Sequence, residues 1–335
     1  MASDLAANSL RHLFIINPIS FRHHYSLGFI LKKIEDEIAA VPREEWEVHI
    51  SQYPRDSYFA IIRKTSQLSK DQRLRVYAIG GDGIIFDCLD AIITSPAVDI
   101  AIVPYGLSNN FVRVFYNKQT PVNKSTLRNI KLLSTSGTMP FDVFKCNTKY
   151  AINNCRIGIE ASARNKAISI LKPFRSTRAF LTKIYLFTFF IGCILSFFNK
   201  KLRMQRYDIT IDGIDFSGIY SNISIANSPY STGTKKAGLN IKPNDGLLNV
   251  ILCRGSSIIK LLSVWSDYLN GNYDRHKSVF QMIMAKKITI RSREYPIQII
   301  LDGNSFIDNH VEIEIINSAI QIVVPKAELA QGKDL

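Results

Sequence analysis

The sequence predicts an α/β domain on a doubly wound parallel sheet over residues 1–136, followed by an antiparallel β-sandwich over 137–325 and a short tail, 326–335. Three observations carry this. Up to about residue 135, short β-branched runs alternate with segments of helical period, the pattern of a parallel sheet with crossover helices. From about Met139 the apolar runs shorten, and Asp-Gly and Asn-Asp-Gly turns punctuate them. Between β-run and helix lies Gly80-Gly81-Asp82-Gly83, a turn of the kind that places glycine where φ is positive or where a phosphate nears the backbone.

The elements follow in order. Leu13–Ile16 reads as the first strand, Asn17-Pro18 as a turn, and Leu27, Ile30, Leu31, Ile34 and Ile38 as one helix face. Trp46–Ile50 is the second strand; Tyr58, Ile61, Ile62 and Leu68 mark the second helix. Val76–Ile79 and Ile100–Val103 are further strands. Ile84, Ile85, Cys88, Leu89, Ile92 and Ile93 give the helix after the glycine turn, and Leu127–Leu133 a short last one. In the second domain, strands are expected at 141–145, 150–157, 207–211, 220–226, 247–252, 288–291, 297–301, 311–316 and 320–324. Helical interruptions fall near 162–200 and 257–269.

Length and composition suit two globular domains: 335 residues, 46% hydrophobic and 21% charged. Five scattered cysteines without a CxxC pair, and histidines at no ligand spacing, point to a reduced, cytoplasmic chain without zinc. The net charge is +14, and no acidic residue occurs between Ala161 and Tyr207, where ten Lys and Arg fall. Within that interval Ile184–Phe198 is uncharged, too short for the roughly 20 residues of a membrane span. Two readings stay open: a buried core helix, or an interfacial apolar hairpin with basic shoulders touching anionic lipid. The second assigns Lys172, Arg175, Arg178, Phe187, Phe190, Phe197, Lys200, Lys201 and Arg203 to a membrane surface, with peripheral attachment. Nucleic acid is the weaker partner, because the cations are interleaved with Phe and Leu.

Ligands of doubly wound sheets gather beyond the carboxyl ends of the strands, and Asn17, Gly80–Gly83 and Gly106–Asn110 all lie there. A helix opening at the glycine turn would offer N–H groups and its positive dipole end to a phosphate. Asp82, which would repel phosphate, makes sense as a metal-linked or hydroxyl-contacting group. Arg22, just past the Asn17 turn, suits a β- or γ-phosphate, and Ser51, after the second strand, is placed with these residues.

Six segments in order resemble the diacylglycerol kinase catalytic family, in its bacterial soluble lipid-kinase branch, to which sphingosine and ceramide kinases are similar. Asn17-Pro18-Ile19-Ser20 resembles NPxSG, Gly80-Gly81-Asp82-Gly83 resembles GGDGT, and the stretch holding Gly106, Ser108 and Asn109 resembles PxGTxNDF. Asn153–Gly158 resembles an NxxxxG strand, Lys242–Leu248 a PxDGxL segment, and Asp302-Gly303 the start of DGE. The resemblance implies an ATP-dependent lipid kinase with Mg²⁺, acting on a diacylglycerol, sphingoid or ceramide type of lipid, and it leaves room for a homodimer. It implies that Asn17, Pro18, Ile19, Ser20 and the glycine turn hold ATP, and that Asp245 with the carbonyls of Lys242 and Leu247 holds Mg²⁺. The departures are specific. Ile84 replaces Thr, Phe21 replaces Gly, Leu107 and Asn110 replace Thr and Asp, and Asn304 replaces the Glu that would take the hydroxyl proton. Asparagine cannot serve as a carboxylate base. Either a nearby carboxylate (Asp302, Asp308 or Asp82) takes that role, or the protein binds nucleotide and lipid without efficient turnover. A NAD kinase-like enzyme shares GGDG but has Asn-Glu where this chain has Asn109-Asn110.

Overall fold

The computed structural model describes residues 9–20, 25–106, 109, 111–114, 124–171, 187–188, 191–232, 235–236 and 241–325. They form two compact units, Met1–Phe141 with Ser318–Leu335, and Asp142–Asn317.

The first unit is a parallel sheet of β1 (Ser9–Ile16), β2 (Trp46–Ile50), β3 (Gln72–Gly80) and β4 (Val98–Pro104), in the order β2-β1-β3-β4. Phe14 lies opposite both Val48 and Tyr77. Helices α1 (Leu27–Ile38), α2 (Asp56–Ser66) and α3 (Asp82–Ile93) form the crossovers. Ile30, Ile34 and Ile38 recur every fourth residue and bury one face of α1, whose first turn is capped by Ser26 Oγ accepting from Phe29 N at 3.1 Å. Strands buried on both faces read as continuous apolar runs, and β4 is buried along its whole length. One charged pair sits in this core. Arg75 Nε donates to Asp99 Oδ1 at 2.8 Å, and its Nη1 donates to the carbonyls of Leu133, Ser134 and Ser136 at 2.6, 3.1 and 3.0 Å. These bonds offset the cost of burying both ions.

Two expectations change here. The helix expected at Leu127–Leu133 is two short ones, Lys124–Leu127 and Ile130–Thr135, because Asn129 leaves the helical region and caps the second, accepting from Leu132 N at 2.8 Å. Residues 318–325, read as sandwich, fall in the first unit. Gln321 and Ile322 run parallel to Asp99 and Ile100 of β4, and Ile320, Ile322 and Val323 are buried.

The second unit is an antiparallel β-sandwich. One path runs from Asn304–Asp308 through Ile297–Leu301 and Asn154–Gly158 to Gly218–Ala226, which also pairs with Gln205–Ile211 and Leu248–Arg254. Strand 205–211 alternates strictly, with Tyr207, Ile209 and Ile211 inward and Arg206 and Thr210 outward. The inward rows meet Phe144, Ile157, Ile223, Leu248, Ile288, Ile299 and Ile313 in a continuous core. Helices Ile159–Leu171 and Ile258–Asn270 lie outside it. Tyr268 Oη donates to Glu160 Oε2 at 2.8 Å, Glu160 pairs with the buried Arg156, and Asn222 Nδ2 donates to Tyr268 Oη at 2.7 Å, so both helices are pinned to the sheet.

The apolar stretch 179–198 satisfies neither earlier reading alone. Among its described residues, Cys193 and Phe197 are buried, while Phe187, Ile194, Leu195 and Phe198 are exposed. Phe197 is therefore corrected from membrane residue to core residue: its ring meets Trp265 edge-on at 4.9 Å. Lys172, Arg175, Arg178 and Phe190 lie outside the described residues. No helix among those described is long and apolar enough to cross a membrane.

Candidate functional site

In the first unit, backbone hydrogen bonds lace the strand-end turns together. Gly80 O accepts from both Tyr105 N and Gly106 N, at 2.9 and 2.7 Å, Asn17 N donates to Ile79 O at 3.2 Å, and Ser51 N donates to Ile16 O at 2.9 Å. Asn17 folds its own turn, its Oδ1 accepting from Ile19 N at 3.1 Å and its carbonyl from Ser20 N at 3.1 Å, and Pro18–Ser20 follow as a 3₁₀ turn. A Cβ at Gly80 would stand 3.3 Å from Ser20 Oγ, and one at Gly106 would stand 2.2 Å from Gly81 Cα. Glycine at 106 is thus required by the neighbouring turn, before any ligand is considered. Gly81 caps α3 without a side-chain hydrogen bond, and Gly83 on its first turn is exposed. The turns holding Asn17, Gly80–Gly83 and Gly106 therefore meet at one sheet edge, in front of a helix dipole.

Other assigned residues take different places. Asp82 Oδ1 accepts from Phe111 N at 3.1 Å and so ties the 106–111 loop to the glycine turn. Asn109 Nδ2 donates to Gly106 O in the same loop. Ile84 is buried, and its N–H donates to Gly81 O at 3.2 Å. It offers a phosphate neither a hydroxyl nor a free N–H, which corrects its place among the nucleotide ligands. Arg22 and Ser108 lie outside the described residues.

Two positioning features went unread in the sequence. Asp56 Oδ2 accepts from Gln52 N at 2.9 Å and lies 3.1 Å from His49 Nε2, beside a Ser51–Ser57 hydroxyl contact of 3.3 Å. Burial raises its carboxyl, but the Gln52 N–H and His49 outweigh this and hold it below the usual range. An Asp two residues after Pro54, opening a helix, was the available signal. Arg128 donates to Pro104 O at 2.8 Å and to Tyr25 Oη at 3.0 Å while its guanidinium lies over Tyr105, 4.6 Å from the ring centre. No sequence signal marks Arg128.

The second unit holds the other assigned segments. Asp302 and Gly303 form a tight turn with φ of 45° and 92°, the left-handed pair of a hairpin. The Asp302 carboxylate accepts from Ile152 N at 2.7 Å, Asn153 N at 3.1 Å and Asn154 N at 2.7 Å. It anchors the turn, which corrects its assignment as a catalytic group. Asp308 is engaged too, Oδ2 with Asn147 Nδ2 at 3.0 Å and Oδ1 with Asn309 N at 2.7 Å. All three carboxylates considered as substitutes for the missing Glu thus accept hydrogen bonds within the fold. Asn304 is exposed at the start of its strand.

Segment 242–247 is held from beneath by Asp142, fully buried, whose Oδ2 accepts from Gly246 N at 2.7 Å and whose N–H donates to Pro243 O at 2.8 Å. Asn227 Nδ2 donates to Asp142 O and Ile152 O at 2.8 and 2.9 Å, and its N–H donates to Asn153 O at 2.9 Å. Asn227 therefore couples the Asp245 segment to the Asp302 turn. Asp245 is exposed and spends Oδ1 on Leu247 N at 3.0 Å. Among the described residues no three His, Cys, Asp or Glu gather to hold a metal. One exposed carboxylate fits a Mg²⁺ that keeps most of its waters.

A parallel-sheet unit with glycine turns at its carboxyl edge, followed by an antiparallel sandwich, is a two-domain architecture of the diacylglycerol kinase/NAD kinase-like type. The family model for the diacylglycerol kinase catalytic domain matches residues 11–146, and that for the YegS C-terminal NAD kinase beta sandwich-like domain matches 191–324. The first part of the chain thus carries a match to the diacylglycerol kinase catalytic domain and the second a match to the YegS-type β-sandwich domain. A Staphylococcus aureus (strain bovine RF122 / ET3-1) protein named "Putative lipid kinase" is 24% identical over 78% of this chain and 80% of its own length. The crystal structure of a diacylglycerol kinase from Bacillus anthracis str. Sterne superposes with a TM-score of 0.68, at 20% identity over 94% of this chain and 96% of that one, a likeness of fold.

Proposed function

We propose that the chain transfers the γ-phosphoryl group of ATP to the hydroxyl of a membrane lipid of the diacylglycerol or sphingoid/ceramide type. The observation that carries this reading is the meeting of the Asn17, Gly80–Gly83 and Gly106 turns before the amino end of α3, in a chain that matches the diacylglycerol kinase catalytic domain. Phosphoryl transfer asks a protein mainly for alignment and charge neutralisation. Backbone N–H groups of the glycine turn hold the phosphates beside the Asn17 turn, whose own N–H groups are spent within the fold; Asp82, Asn109 and Arg128 keep the surrounding loops in register. Asp245, with the Lys242 and Leu247 carbonyls, would hold a structural Mg²⁺. Asn304 stands at the position the family gives to a base; its amide can hydrogen-bond a hydroxyl but cannot take the proton, which would pass to the transferred phosphoryl oxygens or to water. A second reading, binding of nucleotide and lipid with little turnover, is favoured by Asn304 together with the engagement of Asp82, Asp302 and Asp308.

Labelled ATP with diacylglycerol, monoacylglycerol, ceramide and sphingoid base tests both. A kinase yields a phosphorylated lipid that chelation of divalent metal abolishes. The Asn304→Glu variant is expected to raise turnover by about 10²-fold, the lower end of what a positioned acid/base contributes. A thermal shift with ATP and no product from either protein establishes the second reading.

A further inference from the structure

The fold brings together two distant segments that share a composition. Phe198–Arg206 carries Lys200, Lys201, Arg203 and Arg206; Arg254–Leu262 carries Arg254 and Lys260; neither contains an acidic residue. They touch directly: Arg203 Nη1 donates to Ser256 O at 3.1 Å, and a Cβ at Gly255 would lie 2.7 Å from Arg203 O and 3.3 Å from Met204 Sδ. Gly255 N also donates to Ile219 O at 2.8 Å, placing Ile219 in the same patch.

The apolar side chains here are turned outward. Helix Ile258–Asn270 buries Leu261, Val264 and Tyr268, yet its first turns leave Ile259 81% and Leu262 51% exposed. On the neighbouring segment Leu195 is 51% and Phe198 68% exposed, and Met204 and Ile219 are exposed as well. Burying these would remove apolar surface from water, at about 25 cal/mol per Å². Among the described residues, none of the six cations pairs with a carboxylate; Lys201 lies over the Tyr295 ring at 4.9 Å.

We infer that these segments form one docking face for an anionic bilayer, in which Ile259 and Leu262 enter the lipid beside Leu195 and Phe198 while Lys200, Arg206, Arg254 and Lys260 meet the headgroups. Charge selects the occupant: two adjoining segments without an acidic residue of their own, carrying exposed Ile, Leu and Phe, match anionic headgroups over acyl chains. The inference deepens the lipid-kinase reading but does not need turnover, since attachment is measured directly.

The full chain is sedimented with phosphatidylcholine vesicles with and without phosphatidylglycerol. Binding is expected only with the anionic lipid. Ile259→Asp/Leu262→Asp and, separately, Arg254→Glu/Lys260→Glu are each expected to weaken it by about tenfold or more, with the melting temperature unchanged because these side chains are exposed. A dye on Ile259→Cys gives a second readout; the five native thiols are buried, so labelling is selective. Its emission is expected to shift to the blue on anionic vesicles. Wild-type-like sedimentation by Ile259→Asp/Leu262→Asp, or an unshifted dye, overturns the inference. If lipid phosphorylation is absent while the vesicle results hold, the kinase reading falls and the docking face stands. If turnover on detergent-dispersed lipid persists while vesicle binding is absent, the reverse follows.

Discussion

His12 and Asp302 are both polar residues committed to the fold. His12 is buried, its Nδ1 2.9 Å from Tyr77 Oη, and burial, with Arg75 adding repulsion, lowers its pKa to about 4. In the unfolded chain the ring regains a pKa near 6.5. Below that value the unfolded state binds a proton that the folded state refuses, so stability declines as pH falls from about 6.5 and levels off near 4, by at most about 3 kcal/mol. His12→Gln should flatten this slope, as read from denaturant midpoints of the first unit at about pH 7 and about pH 5. Asp302 shows the other side of residue-scale reading. Its Asp-Gly turn was legible, because that pair serves hairpins with positive φ. Its carboxylate was not, because three acceptor bonds to residues about 150 positions away leave no local pattern. Ile84 illustrates the same limit: a motif position placed it at the phosphate, and the helical period of α3 placed it in the core.

At the scale of elements, the glycine turns divide into two kinds. Gly106 cannot accept a Cβ without moving the Gly81 backbone, whereas Gly83 has nothing within 4 Å of the position a Cβ would take. Gly106→Ala is therefore expected to lower the melting temperature and to cut nucleotide affinity by about tenfold or more, since the turns part. Gly83→Ala should leave the fold intact, so any loss of nucleotide affinity by calorimetry there reports how closely the phosphates approach. The strands and crossover helices of the first unit were readable, since their apolar periods are continuous and three of the strands end at Asn17, Gly80 and Pro104. The helix expected at Leu127–Leu133 was not, because the side chain of Asn129 competes with the backbone for its N–H groups. Phe197 and Phe198 are adjacent and equally apolar, yet one packs on Trp265 and the other faces solvent. Only the helix outside the sandwich decides that, and hydropathy cannot.

Over the whole molecule, the excess charge of +14 is concentrated rather than spread. The sequence located it in one interval; the fold adds Arg254 and Lys260, which sequence distance had hidden. Raising salt toward a Debye length of about 3 Å should strip the protein from anionic vesicles, while nucleotide binding persists to higher salt. The chain also crosses between its units twice, within strands Thr138–Cys146 and His310–Val323. The second crossing brings Gln321 and Ile322 against β4. A polypeptide halted at residue 141 would keep every nucleotide-side turn yet expose the naked flank of an apolar strand, an invitation to edge-to-edge oligomerisation. Size-exclusion chromatography should find such a fragment in aggregates, so the parallel half depends for its solubility on residues 318–323, made nearly two hundred positions after it.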